Sequence, residues 1–359
     1  MKRIYYITLL LLAVFVVKSC SDDDSGTPET SALDTAKAEF VANYVNIVEA
    51  SYNDALTKTK DMQTAVNNFV DNPSQATFET AKQAWLDARE PYGQTEAYRF
   101  YDGPIDGADG EPEGYINAWP LDEALIDYVE TGTGGEDTSD NRQNIVNNTS
   151  QYPTISKEVI KDISGYNDNE SNVSLGYHAI EFLLWGQDNT DPSARLNGQR
   201  AYTDYTTATN ADRRGQYLKV ATEILIEDLQ SVIDQWKSGA NYRNFFLGLD
   251  KDDAIDKILT GAAKLSKGEL AGERMATAVE NQNQEDEHSC FADNTHRDIF
   301  LNAESINNII NGTYTRTDGS IVSGTSLLDV LKLVNTTEAS ALEATAAEVM
   351  TYVTVISNT

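Results

Sequence analysis

Only three histidines occur in the 359 residues: His178, His288 and His296. The first stands in LGYHAIEFLLWGQD, residues 175–188, three positions ahead of Glu181. Residues three apart on a helix point the same way, so this imidazole and carboxylate can share a ligand or bond each other. Ile180, Phe182, Leu183, Leu184 and Trp185 around them imply burial on all sides. A buried ionised glutamate is costly unless it is paired or hydrogen-bonded, so Glu181 needs a partner from elsewhere in the chain. Gly176, two positions before His178, lets another backbone approach closely. Two chemistries compete: a metal or polar ligand held between the two groups, or a hydrogen-bonded pair that locks a core. An isolated H-x-x-E favours the core pair, and a metal site in a helical bundle calls for further histidines and carboxylates converging on it.

Other recognisable chemistry is missing from the sequence. There is no H-E-x-x-H, no G-x-S-x-G, no Walker A loop and no C-x-x-C. Cys290 beside His288 lacks a cysteine-protease context. The acidic stretches 102–113 and 250–256 do not follow EF-hand spacing and read as solvated loops. Charge narrows the partners further. With 57 acidic and 27 basic residues the formal net charge is −30. Nucleic acid needs a basic footprint and is excluded as a partner, while anionic membranes are disfavoured and cations are attracted.

The N-terminus addresses the compartment. Lys2 and Arg3 precede an apolar run from Ile4 to Val17, a length suited to a signal peptide rather than a bilayer span. Val17-Lys18-Ser19-Cys20 reads as the end of a bacterial lipoprotein signal, with cleavage before Cys20 and acylation of that residue. Loss of Lys2, Arg3 and Lys18 with residues 1–19 would take the net charge from −30 to −33. Residues 20–33, opening with Ser21-Asp22-Asp23-Asp24, read as an acidic, polar tether. The expected location is the cell envelope, lipid-anchored to the outer membrane, on its periplasmic or surface side. With Cys20 lipidated, Cys290 is the only remaining thiol, so no intramolecular disulfide can form.

These residues must be positioned by helices. Val41, Tyr44, Val45, Val48, Tyr52 and Leu56 recur at helical spacing until Pro73. Thr77 is expected to cap a second helix that runs through Trp85 and Ala88 to Pro91. INAWPLDEALIDYVE reads as a short helix opened by Pro120, residues 131–154 as an exposed loop, and 187–210 as a second loop. Helical patterns follow at 211–237, 251–282, 295–311 and 325–357, and no segment pairs into a convincing hairpin. The expected class is all-α, with helical-bundle domains at 34–200 and 201–359 in a monomeric chain.

The segment GYHAIEFLLWGQD resembles the G-x-H-x-x-E signature of the imelysin-like family, also classed as the M75 peptidases. AWLDAREPYGQTEAYRF, INAWPLDEALIDYV and EDEHSCFADNTHRDI resemble further family segments in the same order, which extends the likeness across roughly residues 35–350. The resemblance implies two related helical bundles packed together, with the signature at or near their interface. It also implies an exported protein, often a lipoprotein, with some members iron-regulated or part of iron-uptake systems. A related branch binds polyanionic glycans, which the charge of this chain disfavours.

Carried over residue by residue, the signature is Gly176, His178 and Glu181. Arg89 and Glu96 come from the first of the other segments, Trp119 and Asp122 from the second, and His288, Asp293 and His296 from the last. Arg89 is the expected counter-charge for Glu181 or Glu96. His178, Glu181, Glu96 and Asp122 are the candidate metal ligands; Arg89, Gly176, Trp119, His288, Asp293 and His296 are candidates to line a pocket. Three functions follow. One is a binding protein for iron or another divalent cation, working with metal-uptake components. Another is a zinc-dependent endopeptidase with His178 and Glu181 as ligands or base. The last is a metal-free His/Glu/Arg network forming an organic-ligand pocket.

Overall fold

A computed structural model describes residues 28–107, 112–130 and 143–358, with side chains from residue 32. The leader, Cys20, most of the tether and the first half of the 131–154 loop lie outside the described residues. Helix α1 (Pro28–Asp71) buries Val41, Tyr44, Val45, Val48, Tyr52 and Leu56, the stripe read from their spacing. A three-residue turn leads to α2 (Gln75–Gly93), which packs back along α1. Its cap is Ser74, not Thr77. Ser74 Oγ accepts the Thr77 N–H at 3.2 Å, and Thr77 Oγ1 accepts the Ser74 N–H at 3.0 Å, so the threonine closes a capping box from inside the first turn. Pro91 does not end α2. Sitting in the last turn it forfeits one backbone bond, and the helix continues to Gly93.

After the one-turn helices Glu113–Ile116 and Glu123–Ile126 come α3 (Lys157–Ile163), α4 (Gly176–Trp185), α5 (Ala211–Trp236) and α6 (Asn241–Gly248). The helix expected after Pro120 is therefore a single turn, which begins only at its cap, Asp122. Helix α7 (Lys251–Lys264) passes through a π-helical stretch, Leu265–Thr277, into a last α turn at Ala278–Asn281. Then follow α8 (Thr295–Asn311), α9 (Leu327–Val334) and α10 (Thr336–Ser357). The pattern at 325–357 is split in two at Asn335, whose extended backbone and side-chain carbonyl cap α10. One hairpin was not anticipated. Thr313–Thr315 (β1) pairs antiparallel with Ile321–Ser323 (β2), strands too short to show a period of two.

The chain is all-α apart from that ribbon among the described residues. Helices α1, α2, α4 and α5 form one bundle; α7, the π-helical stretch, α8 and α10 form the other. Contacts of α1 with α7 and α9, and of α2 with α8, join them. Trp85 Nε1 donates to the Tyr177 carbonyl at 2.9 Å, and its ring meets Trp185 edge-on at 5.3 Å, so α2 fixes α4 at both ends. None of the described helices is long and apolar enough to cross a membrane.

Candidate functional site

Helix α4 begins at Gly176, where φ is +86°. A Cβ there would lie 2.7 Å from the Ile116 carbonyl oxygen, so only glycine permits both this conformation and this approach. One turn on, His178 Nδ1 and Glu181 Oε2 are 2.8 Å apart with both side chains fully buried. The partner that Glu181 needs comes from the turn before α8: the Ala292 N–H donates to Oε1 at 2.9 Å.

The same turn delivers His288. Its ring lies 4.7 Å from that of His178, inclined at 73°, with Trp119 at 6.0 Å on another edge. His288 Nδ1 sits 2.9 Å from Asp298 Oδ2, and Ser289 Oγ donates to the same oxygen at 2.5 Å. Asp298 Oδ1 accepts from Arg89 Nη2 at 3.0 Å, an ion pair that is almost wholly buried. Arg89 also donates to Asn117 Oδ1 at 2.5 Å, and its guanidinium packs over the Tyr177 ring at 5.1 Å. Asn117 Nδ2 approaches Glu96 at 3.5 Å. Glu96 in turn is paired with Arg274 at 2.8 Å and Arg99 at 3.3 Å. One buried polar network thus runs from α4 across both bundles.

Burial decides the protonation of the signature pair. Desolvation drives His178 well below the ordinary histidine value, and the positive fields of His288 and Arg89 add to it. Burial pushes Glu181 well above the carboxylate range, against the Ala292 N–H and Arg89. Both therefore favour their uncharged forms. His288 is likewise lowered, to about 4, by burial and then by Arg274, against the pull of Asp298. Burial alone would raise Asp298 and Glu96, but their arginines prevail. Arg89 holds Asp298 well below the carboxylate range, and Arg274 with Arg99 holds Glu96 at about 2.

These donors fit a cation in part. Two neutral imidazoles each meet a carboxyl group through Nδ1, the protonated Glu181 for His178 and the ionised Asp298 for His288, the kind of contact that orients metal-binding histidines. His178 Nε2 is buried and has no hydrogen-bond partner among the described residues. A complete protein shell is not present, since no three His, Cys, Asp or Glu among the described residues are placed to hold a metal ion. A cation here would take nitrogen from the protein and further ligands from elsewhere.

The comparisons with known proteins agree with this fold. The family model for imelysin, Peptidase_M75, matches residues 48–357. This chain belongs to the imelysin family. Iron-regulated protein A of Synechococcus elongatus is 24% identical over 306 residues, which cover 82% of this imelysin and 69% of that protein. Two solved structures share the fold. A putative iron-regulated protein A precursor from Parabacteroides distasonis has a TM-score of 0.65 at 19% identity, over 94% of this chain and 88% of that one. An imelysin-like protein from Psychrobacter arcticum has a TM-score of 0.56 at 16% identity, over 94% and 87%.

Within this imelysin, Gly176, His178, Glu181, Arg89, His288 and Trp119 come together. Arg89 is the counter-charge of Asp298 rather than of Glu181 or Glu96. Glu96 lies past the end of α2, in the turn Glu96–Tyr98. The fold also turns Asp122 to a local task, since its carboxylate caps the next helix by accepting the Ala124 N–H at 3.1 Å. Asp293, with φ +56°, is bonded to Asp188, and burial followed by repulsion from Asp188 raises it to about 6. His296 stands in the first turn of α8, half-buried and apart from the His178 network among the described residues. Asp298, Asn117 and Arg274 are the additions. Asp298 follows His296 by two positions in the last family segment, and nothing local distinguishes it from the other acids of this chain.

Proposed function

We propose that this imelysin is an envelope-tethered binding protein of iron acquisition, taking iron or another divalent cation as cargo at His178 and His288. The observation that carries this reading is the buried His178 Nε2, which lacks a partner beside a second neutral imidazole. Nitrogen donors suit iron, zinc and other borderline cations, and the remaining ligands would travel with the cargo. The names of the Synechococcus and Parabacteroides relatives support the link to iron. The leader and Cys20 support a lipid anchor at the outer membrane, from which the protein would pass cargo to uptake components as a monomer. Glu181 is engaged by His178 and Ala292, so it is not placed to activate a water, and the geometry gives the endopeptidase reading little support.

Metal content and calorimetric titration with Fe(II) and Zn(II) test the proposal, on wild type and on His178→Ala and His288→Ala. About one equivalent bound by wild type and lost in both variants is the expected result. No binding by wild type at about millimolar cation overturns it. A second reading rests on Arg89 Nε, which is buried without a partner and favours an anionic organic ligand. In that case, carboxylates and not cations would bind, and Arg89→Met would abolish the binding.

A further inference from the structure

A cleft of about 380 Å³ opens between the first turns of α2 and the segment 197–201, with Leu86 and Trp185 among its lining. It shares no residue with the His178 network. Lys82 Nζ stands 4.6 Å from the Phe78 ring centroid and 5.4 Å from that of Trp185. In a chain with 57 acidic residues, no carboxylate comes within ion-pair distance of this ammonium among the described residues. Its neighbour Glu79 is instead bonded by Gln75 Nε2 at 2.7 Å. An ammonium partly drawn out of water and resting on ring faces is ready for an anion.

A second cation lines the same cleft. Arg200 donates through Nη1 to Asp127 at 2.9 Å and to Asp204 at 3.2 Å, yet its buried Nε has no partner. The neighbouring amides have a consistent polarity. Gln83 Nε2 is engaged by Asp87 at 2.8 Å, and Gln199 Nε2 by the Asn197 carbonyl at 2.6 Å. Their amide oxygens are left as acceptors, which suit hydroxyl donors rather than further anionic oxygen.

We propose that this cleft binds a small hydroxycarboxylic acid, its carboxylate on Lys82 Nζ in the field of the Arg200 guanidinium and its hydroxyls on the amide oxygens of Gln83 and Gln199. The volume suits a ligand of this size, near the lower end of small-molecule sites. Glu79, which also lines the cleft, acts on Lys82 without pairing directly, so the ligand carboxylate supplies the close ion pair the ammonium lacks, and the amides select against simple anions. Binding here is independent of any cargo at His178.

Calorimetry of the full chain with gluconate, glucose and acetate tests this. Gluconate is expected to bind with a Kd of about 1 mM or tighter, and glucose and acetate at least about tenfold more weakly. Lys82→Met, which keeps the stem over the rings, and Gln199→Ala, in an exposed loop, should each weaken gluconate several-fold, Lys82→Met by about tenfold. His178→Ala should leave it unchanged. No gluconate binding at about 10 mM overturns the proposal. So does acetate or glucose binding as well as gluconate, or gluconate binding that survives Lys82→Met in a variant with wild-type circular dichroism.

Discussion

Asp298 is the residue on which both stability and cargo binding should turn. Its two oxygens serve three donors: Arg89 Nη2 at 3.0 Å on one, His288 Nδ1 at 2.9 Å and Ser289 Oγ at 2.5 Å on the other. In Asp298→Asn, the new NH₂ cannot face the guanidinium, so it must take the side of His288 and Ser289. The serine hydroxyl can rotate to accept it. His288 can do so only by moving its proton from Nδ1 to Nε2, which removes the lone pair a cation would need. Arg89 meanwhile keeps a neutral hydrogen bond but loses its counter-charge at a site about 1% exposed.

Breaking a buried ion pair from one side costs about 3–5 kcal/mol, because the remaining charge stays desolvated. For a protein of this size, that corresponds to a Tm lower by roughly 6–20 °C, at about 2–4 °C per kcal/mol. Differential scanning calorimetry reads the first effect and cation titration the second. The double variant Asp298→Asn/Arg89→Met should recover part of the stability, since no unpaired charge is left, yet it should not recover cation binding. A Tm within about 2 °C of wild type for Asp298→Asn alone would refute the charge argument. Unchanged cation affinity in a folded Asp298→Asn protein would refute the orienting role.

Further outcomes follow from the same geometry. Gly176→Ala combines a left-handed φ with a contact at 2.7 Å to a backbone oxygen, and should cost about 2–4 kcal/mol, read as a lower Tm; a neutral substitution would show that α4 can shift away from Ile116. Cation capture at His178 requires the Nε2 lone pair and hence loss of the proton that burial keeps on Glu181, so affinity should rise with pH. In Glu181→Gln the amide oxygen keeps the Ala292 N–H and the NH₂ must face His178 Nδ1, which puts the imidazole proton on Nε2, so cation binding should be lost at every pH; an unaltered pH profile would exclude Glu181 as the linked group. Glu113 is raised to about 7, chiefly by burial, with Glu96 and Asp106 adding repulsion against the pull of Arg99. A carboxyl whose folded value exceeds its unfolded one makes the fold bind more protons, so this group lowers stability as pH rises from about 4.5 through 7. Glu113→Gln should therefore match wild type near pH 5 and melt higher at pH 8; equal Tm values at both would refute the assignment.

Much of this molecule is legible in its sequence because helical spacing is a local signal. The stripe from Val41 to Leu56, the all-apolar surroundings of His178 and the small residue at Gly176 each announced burial or close approach. Local signals also mark where the reading slipped. Ser74 and Thr77 are both competent caps, and only the extended backbone at Ser74 decides between them. The strands β1 and β2 are three residues long and carry no periodicity.

The site divides along the same line. His178 and Glu181 are neighbours on one helix, so their pairing could be foreseen, while the His288–Asp298–Arg89 relay joins α2 to the turn before α8 across about two hundred residues of sequence. Charge balance cannot resolve such a choice in advance, because 57 acids offer Arg89 many partners. What selects Asp298 is desolvation. A carboxylate that must be buried beside His288 needs a permanent cation, and the same burial that neutralises His178 and Glu181 makes them unsuitable as its partners. The network is therefore polarised, with its charges paired around Arg89 and its neutral imidazoles grouped at His178, the end where a nitrogen is left to meet a cation.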